Sequence, residues 1–285
     1  PPPDPARRYC GRTQAAQIRR FTDMQRGLCT LTILLGALAA CQSDPNTPQT
    51  PAATDSAASG GWGGKVENLS AAQLPALEKP PGELLEAKRW TDALGENVLV
   101  ICRTKPVSKP ETDVNMEEST SVKLFARQYV RAGRGQYQEL WRLQDGIEDC
   151  PFDLDLGPLP GSTSITDLDH DGQTETTLVY KLACRSDVSP SDLKLIMREG
   201  KTKYALRGYT VVQYDSVPLL QRVPANACCL DTISKAQLEE HYELAAGRYE
   251  NERDFRGAPQ EFLGFARAHW RRWVTRDLDT GAEGE

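Results

Sequence analysis

Apolar and polar positions alternate with a period of two through much of the middle of the chain, as in strands that bury one face. Val122, Leu124 and Ala126 show it most cleanly, flanked by Ser121, Lys123 and Arg127. Apolar-rich runs at 87–90 and 98–103 predict a hairpin around a glycine-containing loop at 92–97, with Trp90 as a core anchor. A second hairpin is expected from 122–131 and 137–143, turned by Gly133, Arg134 and Gly135. A third joins 193–197 to 203–206 across Glu199 and Gly200, and 211–214 reads as one more strand. Residues 105–120 contain two prolines and many acids, so they read as an exposed loop.

Near the C-terminus the period changes. Ser234 is placed to cap a helix running through Leu238, Tyr242 and Leu244. Phe262, Ala266, Trp270 and Trp273 recur at helical spacing within 259–276, interleaved with Arg267, Arg271, Arg272 and Arg276. A basic amphipathic helix either lies on a membrane surface or covers the open face of a sheet. The second is expected here, because a β domain with open edges needs a cover. The predicted fold is mainly β (α+β): antiparallel hairpins forming a twisted sheet or sandwich, covered by C-terminal helices.

One stretch breaks the alternation with charge. It reads Asp167-Leu-Asp-His-Asp-Gly-Gln-Thr-Glu175, between the strand-like runs 164–166 and 176–180. Asp167, Asp169 and Asp171 surround one point, and Gly172 takes the positive φ that folds the backbone back. The Gln173 carbonyl and the Glu175 carboxylate then complete an oxygen cage for a hard Ca²⁺ ion. An EF-hand would place an acid at the twelfth loop position, where this chain has Leu178, so the expected unit is a strand–calcium loop–strand hairpin. His170, at the loop tip, reads as solvated, since imidazole is a poor ligand for a hard cation. The plain alternative is an Asp-Gly turn whose acids serve only solubility. The loop resembles the calcium loops of FG-GAP-type β-propeller blades, which carry an acid at the ninth position, as Glu175 does here. Propellers repeat the loop, and this chain has it once. The resemblance implies Asp167, Asp169, Asp171 and Glu175 as side-chain ligands.

The first 81 residues are of a different kind. The first residue is Pro, so residues 1–23 are expected to lie upstream of a natural start at Met24. From Met24, Arg26 and an apolar run at 28–40 end in Leu38-Ala39-Ala40-Cys41, the order of a lipoprotein signal and lipobox, with Cys41 as the acylated residue. The run is too short to span a bilayer. Residues 42–81, rich in Ser, Thr, Pro, Ala and Gly at their start, read as a flexible tether. The folded domain is expected at 82–276 and a disordered tail at 277–285. Localisation follows as an exported protein, anchored to the bacterial envelope by lipid.

Charge narrows the partners. Removing residues 1–40 takes away six Arg and two Asp, leaving 28 basic and 38 acidic side chains. So acidic a surface, with no basic stripe interleaved with aromatics, disfavours nucleic acid. The later cysteines, Cys102, Cys150, Cys184, Cys228 and Cys229, suit an oxidising compartment, with two disulfides and one spare thiol. Separation along the chain does not fix the pairing; the expectation is Cys102 with Cys150 and Cys184 with one of Cys228 and Cys229, which are not expected to bond to each other since neighbours suit disulfide geometry poorly.

Four segments considered together carry a longer resemblance: Trp90 to Asn97, Ile165 to Gly172, Tyr180 to Met197 and Lys203 to Gly208. They look like a little-characterised family of bacterial envelope proteins labelled surface polysaccharide biosynthesis protein. The resemblance implies a pathway and supplies no catalytic residues. No GxSxG, HExxH, GxGxxG or GxxxxGK[ST] motif occurs. The expectation is therefore a non-enzymatic binding or assembly factor with one structural Ca²⁺ and a glycan or envelope-protein partner. The alternative is a carboxylate-dependent hydrolase acting on envelope glycans, with Asp187, Asp192 and Glu199 as candidate acids.

Overall fold

The computed structural model describes residues 62–109, 119–212 and 217–276. The chain divides into Pro1–Ala53, outside the described residues, and Thr54–Glu285. The lipobox with Cys41, residues 42–61 of the tether and the tail at 277–285 also lie outside them.

Among the described residues, eleven strands form two antiparallel sheets. The first sheet contains β1 (Glu67–Asn68), β2 (Glu83–Asp92), β3 (Gly95–Arg103), β4 (Val107–Lys109), β5 (Ser119–Arg131) and β6 (Gln138–Cys150). β5 carries β3 and then β4 on one edge and β6 on the other. The second sheet contains β7 (Asp153–Pro158), β8 (Ser164–Thr166), β9 (Glu175–Arg185), β10 (Asp192–Glu199) and β11 (Thr202–Tyr209). Here β9 is central, with β10 and then β11 on one side and β7 and β8 in succession on the other. The helices are α1 (Leu219–Arg222), α2 (Lys235–Glu240) and α3 (Gln260–Trp273). The fold is mainly β with C-terminal helices, as the hydrophobic pattern predicts.

Period-two alternation assigns each strand residue to a layer. Trp90, Leu99, Ile101, Leu124 and Trp141 of the first sheet meet Leu156, Leu178, Tyr180 and Ile196 of the second in a shared core. The intervening residues of β9 to β11, Val179, Leu193, Leu195, Met197, Tyr204 and Leu206, form the opposite face. Phe262, Ala266, Trp270 and Trp273 of α3 cover it, and all four are buried. The aromatic stripe is therefore a sheet cover. Arg267, on the helix's other side, forms two hydrogen bonds to Glu252, at 2.7 and 2.6 Å.

The folded part starts earlier than Gly82. β1 pairs with β2, and Leu69, Leu74 and Leu77 pack on the outer face of the first sheet, over Ala87, Val98, Val100 and Tyr129. A short 3₁₀ turn at Ala71–Gln73, capped by Ser70, carries this cover. Other expectations also shift. The 105–120 loop holds strand β4, with 110–118 outside the described residues. Val211 and Val212 lie in no strand; Val211 instead donates its N–H to Val274 beside α3. The Ser234-capped helix stops at Glu240, after which Tyr242–Ala245 is a 3₁₀ turn.

The disulfide expectation is overturned. Cys150 pairs with Cys184, Cα to Cα 5.7 Å, and Cys102 is a buried free thiol, so neither expected pair forms. The reason is strand parity: on β3, Val98, Val100 and Cys102 face outward while Leu99 and Ile101 face the shared core. Cys102 therefore points away from the second sheet. Cys150 ends β6, and the turn into β7 brings it beside β9, where Leu154 pairs with Cys184. The bond ties the two sheets across a 34-residue separation, stabilising by roughly 3–4 kcal/mol in the chain-entropy account.

Candidate metal centre

The acid loop at 167–174 joins β8 to β9, the hairpin expected from sequence. Two residues take positive φ to close it, His170 at 60° and Gly172 at 86°. Short-range bonds shape the rest. Asp169 accepts the Asp171 N–H, and Asp171 accepts both the N–H and the side-chain amide of Gln173 at 2.7 and 3.1 Å. Gln173 thus braces a carboxylate through its donors. His170 is exposed, as expected.

The first sheet holds the loop from outside. Ala93, in the β2–β3 turn, donates its N–H to the Gly172 carbonyl at 2.8 Å. Asp92 accepts the N–H and hydroxyl of Thr174 at 3.1 and 2.7 Å, and the Trp90 indole donates to the same hydroxyl at 2.7 Å. Trp90 is thus both the core anchor predicted and a strut for the loop. The centre sits at the junction of the two sheets.

The carboxylates gather in two overlapping groups. Asp167, Asp169 and Glu175 present oxygens within 4.8 Å of one another, and so do Asp169, Asp171 and Glu199. Asp169 belongs to both. Sequence reading placed the first three aspartates and Glu175 together; the structure sets Asp171 beside Asp169 and Glu199. Glu199 was weighed only as a possible hydrolytic acid. The signal that would have found it is register, since β9 and β10 close on the 186–191 turn and pair Glu175 with Glu199.

Burial makes the centre costly. Asp167 is 8 % exposed and Glu175 is 0 % exposed. One Glu175 oxygen accepts from the Thr166 hydroxyl at 2.8 Å and the Leu168 N–H at 3.0 Å. The other, Oε1, is buried without a hydrogen-bond partner, as are Asp167 Oδ1 and Glu199 Oε1. An unpaired buried polar atom costs about 1–3 kcal/mol, and more when charged. Burial pushes the Glu175 carboxyl up to about 7, against the pull of its two donors. The Glu199 carboxyl is raised too, first by burial and then by the neighbouring Asp169, Asp171 and Asp167. Oxygen-only donors of this kind suit a hard divalent cation, Ca²⁺ or Mg²⁺, over a softer metal. A cation bound among Asp167, Asp169 and Glu175 would give the bare Asp167 and Glu175 oxygens the partner they lack.

No known protein family, curated protein or solved structure matches this chain.

Proposed function

We propose that this chain is a lipid-anchored cell-envelope protein whose β domain is organised by calcium, and that it serves as a non-enzymatic binding or assembly factor linked to surface polysaccharide. The observation that carries the calcium half is the pair of buried, unpartnered oxygens on Asp167 and Glu175, aimed into a cluster of further acids. The ion's role is structural. It replaces repulsion among carboxylates with attraction, and it does so where the β2–β3 turn grips the loop, so it tightens the seam between the sheets. Support for the envelope half comes from the lipobox order ending at Cys41, the disulfide-forming cysteines and the resemblance of four segments to a polysaccharide-linked family. Partners in this reading are a membrane, through the lipid, and a glycan or envelope protein. The hydrolase alternative draws less support: Asp187 is held in its own turn by Ser189, and Glu199 belongs to the acidic centre.

A ligand that binds only the folded state stabilises it by about 2.7 kcal/mol at one hundred times its Kd. For a domain of this size that is a melting shift of roughly 5–11 °C. Thermal melts of the full chain in calcium and in excess chelator test it. Identical melts would remove the metal from the account.

A further inference from the structure

Resting on the calcium reading above and extending it, we propose that the centre holds two divalent cations bridged by Asp169, with Glu199 of β10 as the ligand that defines the second. Oxygens around one such ion lie about 2.3–2.6 Å from it, so opposite ligands stand roughly 5 Å apart at most. Each group of three acids fits inside that span, with its oxygens within 4.8 Å of one another. The five carboxylates nevertheless form two groups and not one, and Asp169 alone is common to both. A carboxylate has two oxygens and can serve one ion with each.

The unsatisfied atoms divide the same way. Asp167 Oδ1 and Glu175 Oε1, on side chains more than nine-tenths buried, belong to the inner group, and Glu199 Oε1 belongs to the outer. An ion seated between Asp167 and Glu175 leaves the Glu199 oxygen as it was. Register adds a second argument. Glu175 and Glu199 are direct cross-strand partners on β9 and β10, where like charges repel. One divalent cation among five carboxylates leaves three negative charges, with the outer Asp169, Asp171 and Glu199 uncompensated; two cations leave one. The outer position includes exposed Asp171 and half-buried Asp169, so it is the one solvent reaches and the one that exchanges more readily.

Calorimetric titration of the chelator-stripped full chain with calcium chloride reads the stoichiometry. The expected result is two equivalents for the parent chain and one for Glu199→Gln, with far-UV circular dichroism confirming that the variant is folded. Asp171→Asn, on the exposed loop, is expected to lose the same equivalent and guards against a folding defect peculiar to β10. One equivalent in the parent, whether unchanged or weakened by Glu199→Gln, overturns the two-ion inference and leaves the calcium reading intact. No binding at all removes both.

Discussion

Two groups of acids among the described residues differ in what faces them. At the edge formed by β1, β2, β3 and β5, Glu67 meets Arg89 at 2.6 Å and Glu96 meets Arg131 at 2.5 Å. Tyr137 donates its hydroxyl to Glu96, and the Arg131 guanidinium lies 4.7 Å above the Tyr137 ring. In the loop between β8 and β9, acid meets acid. The consequence is a reversal of sign. Tyr137 and Arg131 hold the Glu96 carboxyl below its usual range, while burial lifts that of Glu175 to about 7. Residue type does not decide the charge state; the groups opposite do. The first cluster is completed by the chain's own cations, whereas the second, among the described residues, leaves buried carboxylate oxygens without a hydrogen-bond partner.

The sharpest way to break this comparison is to remove charge from both clusters. Replacing Asp167 with Asn and Glu175 with Gln together should abolish the melting response to calcium. In chelator, the same double variant should be more stable than the parent by about 2 kcal/mol, because it no longer buries two unpaired acids. A double variant that still gains stability from calcium would place the ion elsewhere. In the paired cluster the sign inverts. Glu96→Gln should cost about 0.5–1 kcal/mol, equally with and without calcium, as partly exposed ion pairs do; urea melts in both buffers read it. The smallest effect is in pH. A carboxyl whose folded pKa is depressed stabilises above its unfolded value and loses that contribution as pH falls through the folded one. The gap between parent and Glu96→Gln should therefore be full at pH 7 and narrow progressively as pH falls below about 4.5, and a gap that stayed constant through that descent would show it to be packing and not charge.

Much of this was legible in local pattern. Strand alternation at Val122, Leu124 and Ala126 and helical spacing at Phe262, Ala266, Trp270 and Trp273 both report faces, and the faces are where they were expected. The acid loop was legible because its acids lie within nine residues and Gly172 marks the bend. What was missed is long-range. Glu199 reaches the centre only through β9–β10 register, and Asp92 reaches Thr174 from 82 positions away. The cysteine pairing failed for the same reason: separation along the chain says nothing about which side of β3 Cys102 faces. The N-terminal cover went unseen because Leu69, Leu74 and Leu77 are spread through a segment with no regular period, and only the waiting face of the first sheet gives them a place.

The central claim is that bare, buried carboxylate oxygens at the sheet junction hold a cation. A crystal of the chain grown with a calcium-mimicking lanthanide tests it most directly through anomalous scattering. The account predicts a peak about 2.3–2.6 Å from Asp167 Oδ1 and Glu175 Oε1. A well-ordered loop with no peak there, and with those oxygens bonded to water or to a protein donor, would contradict it.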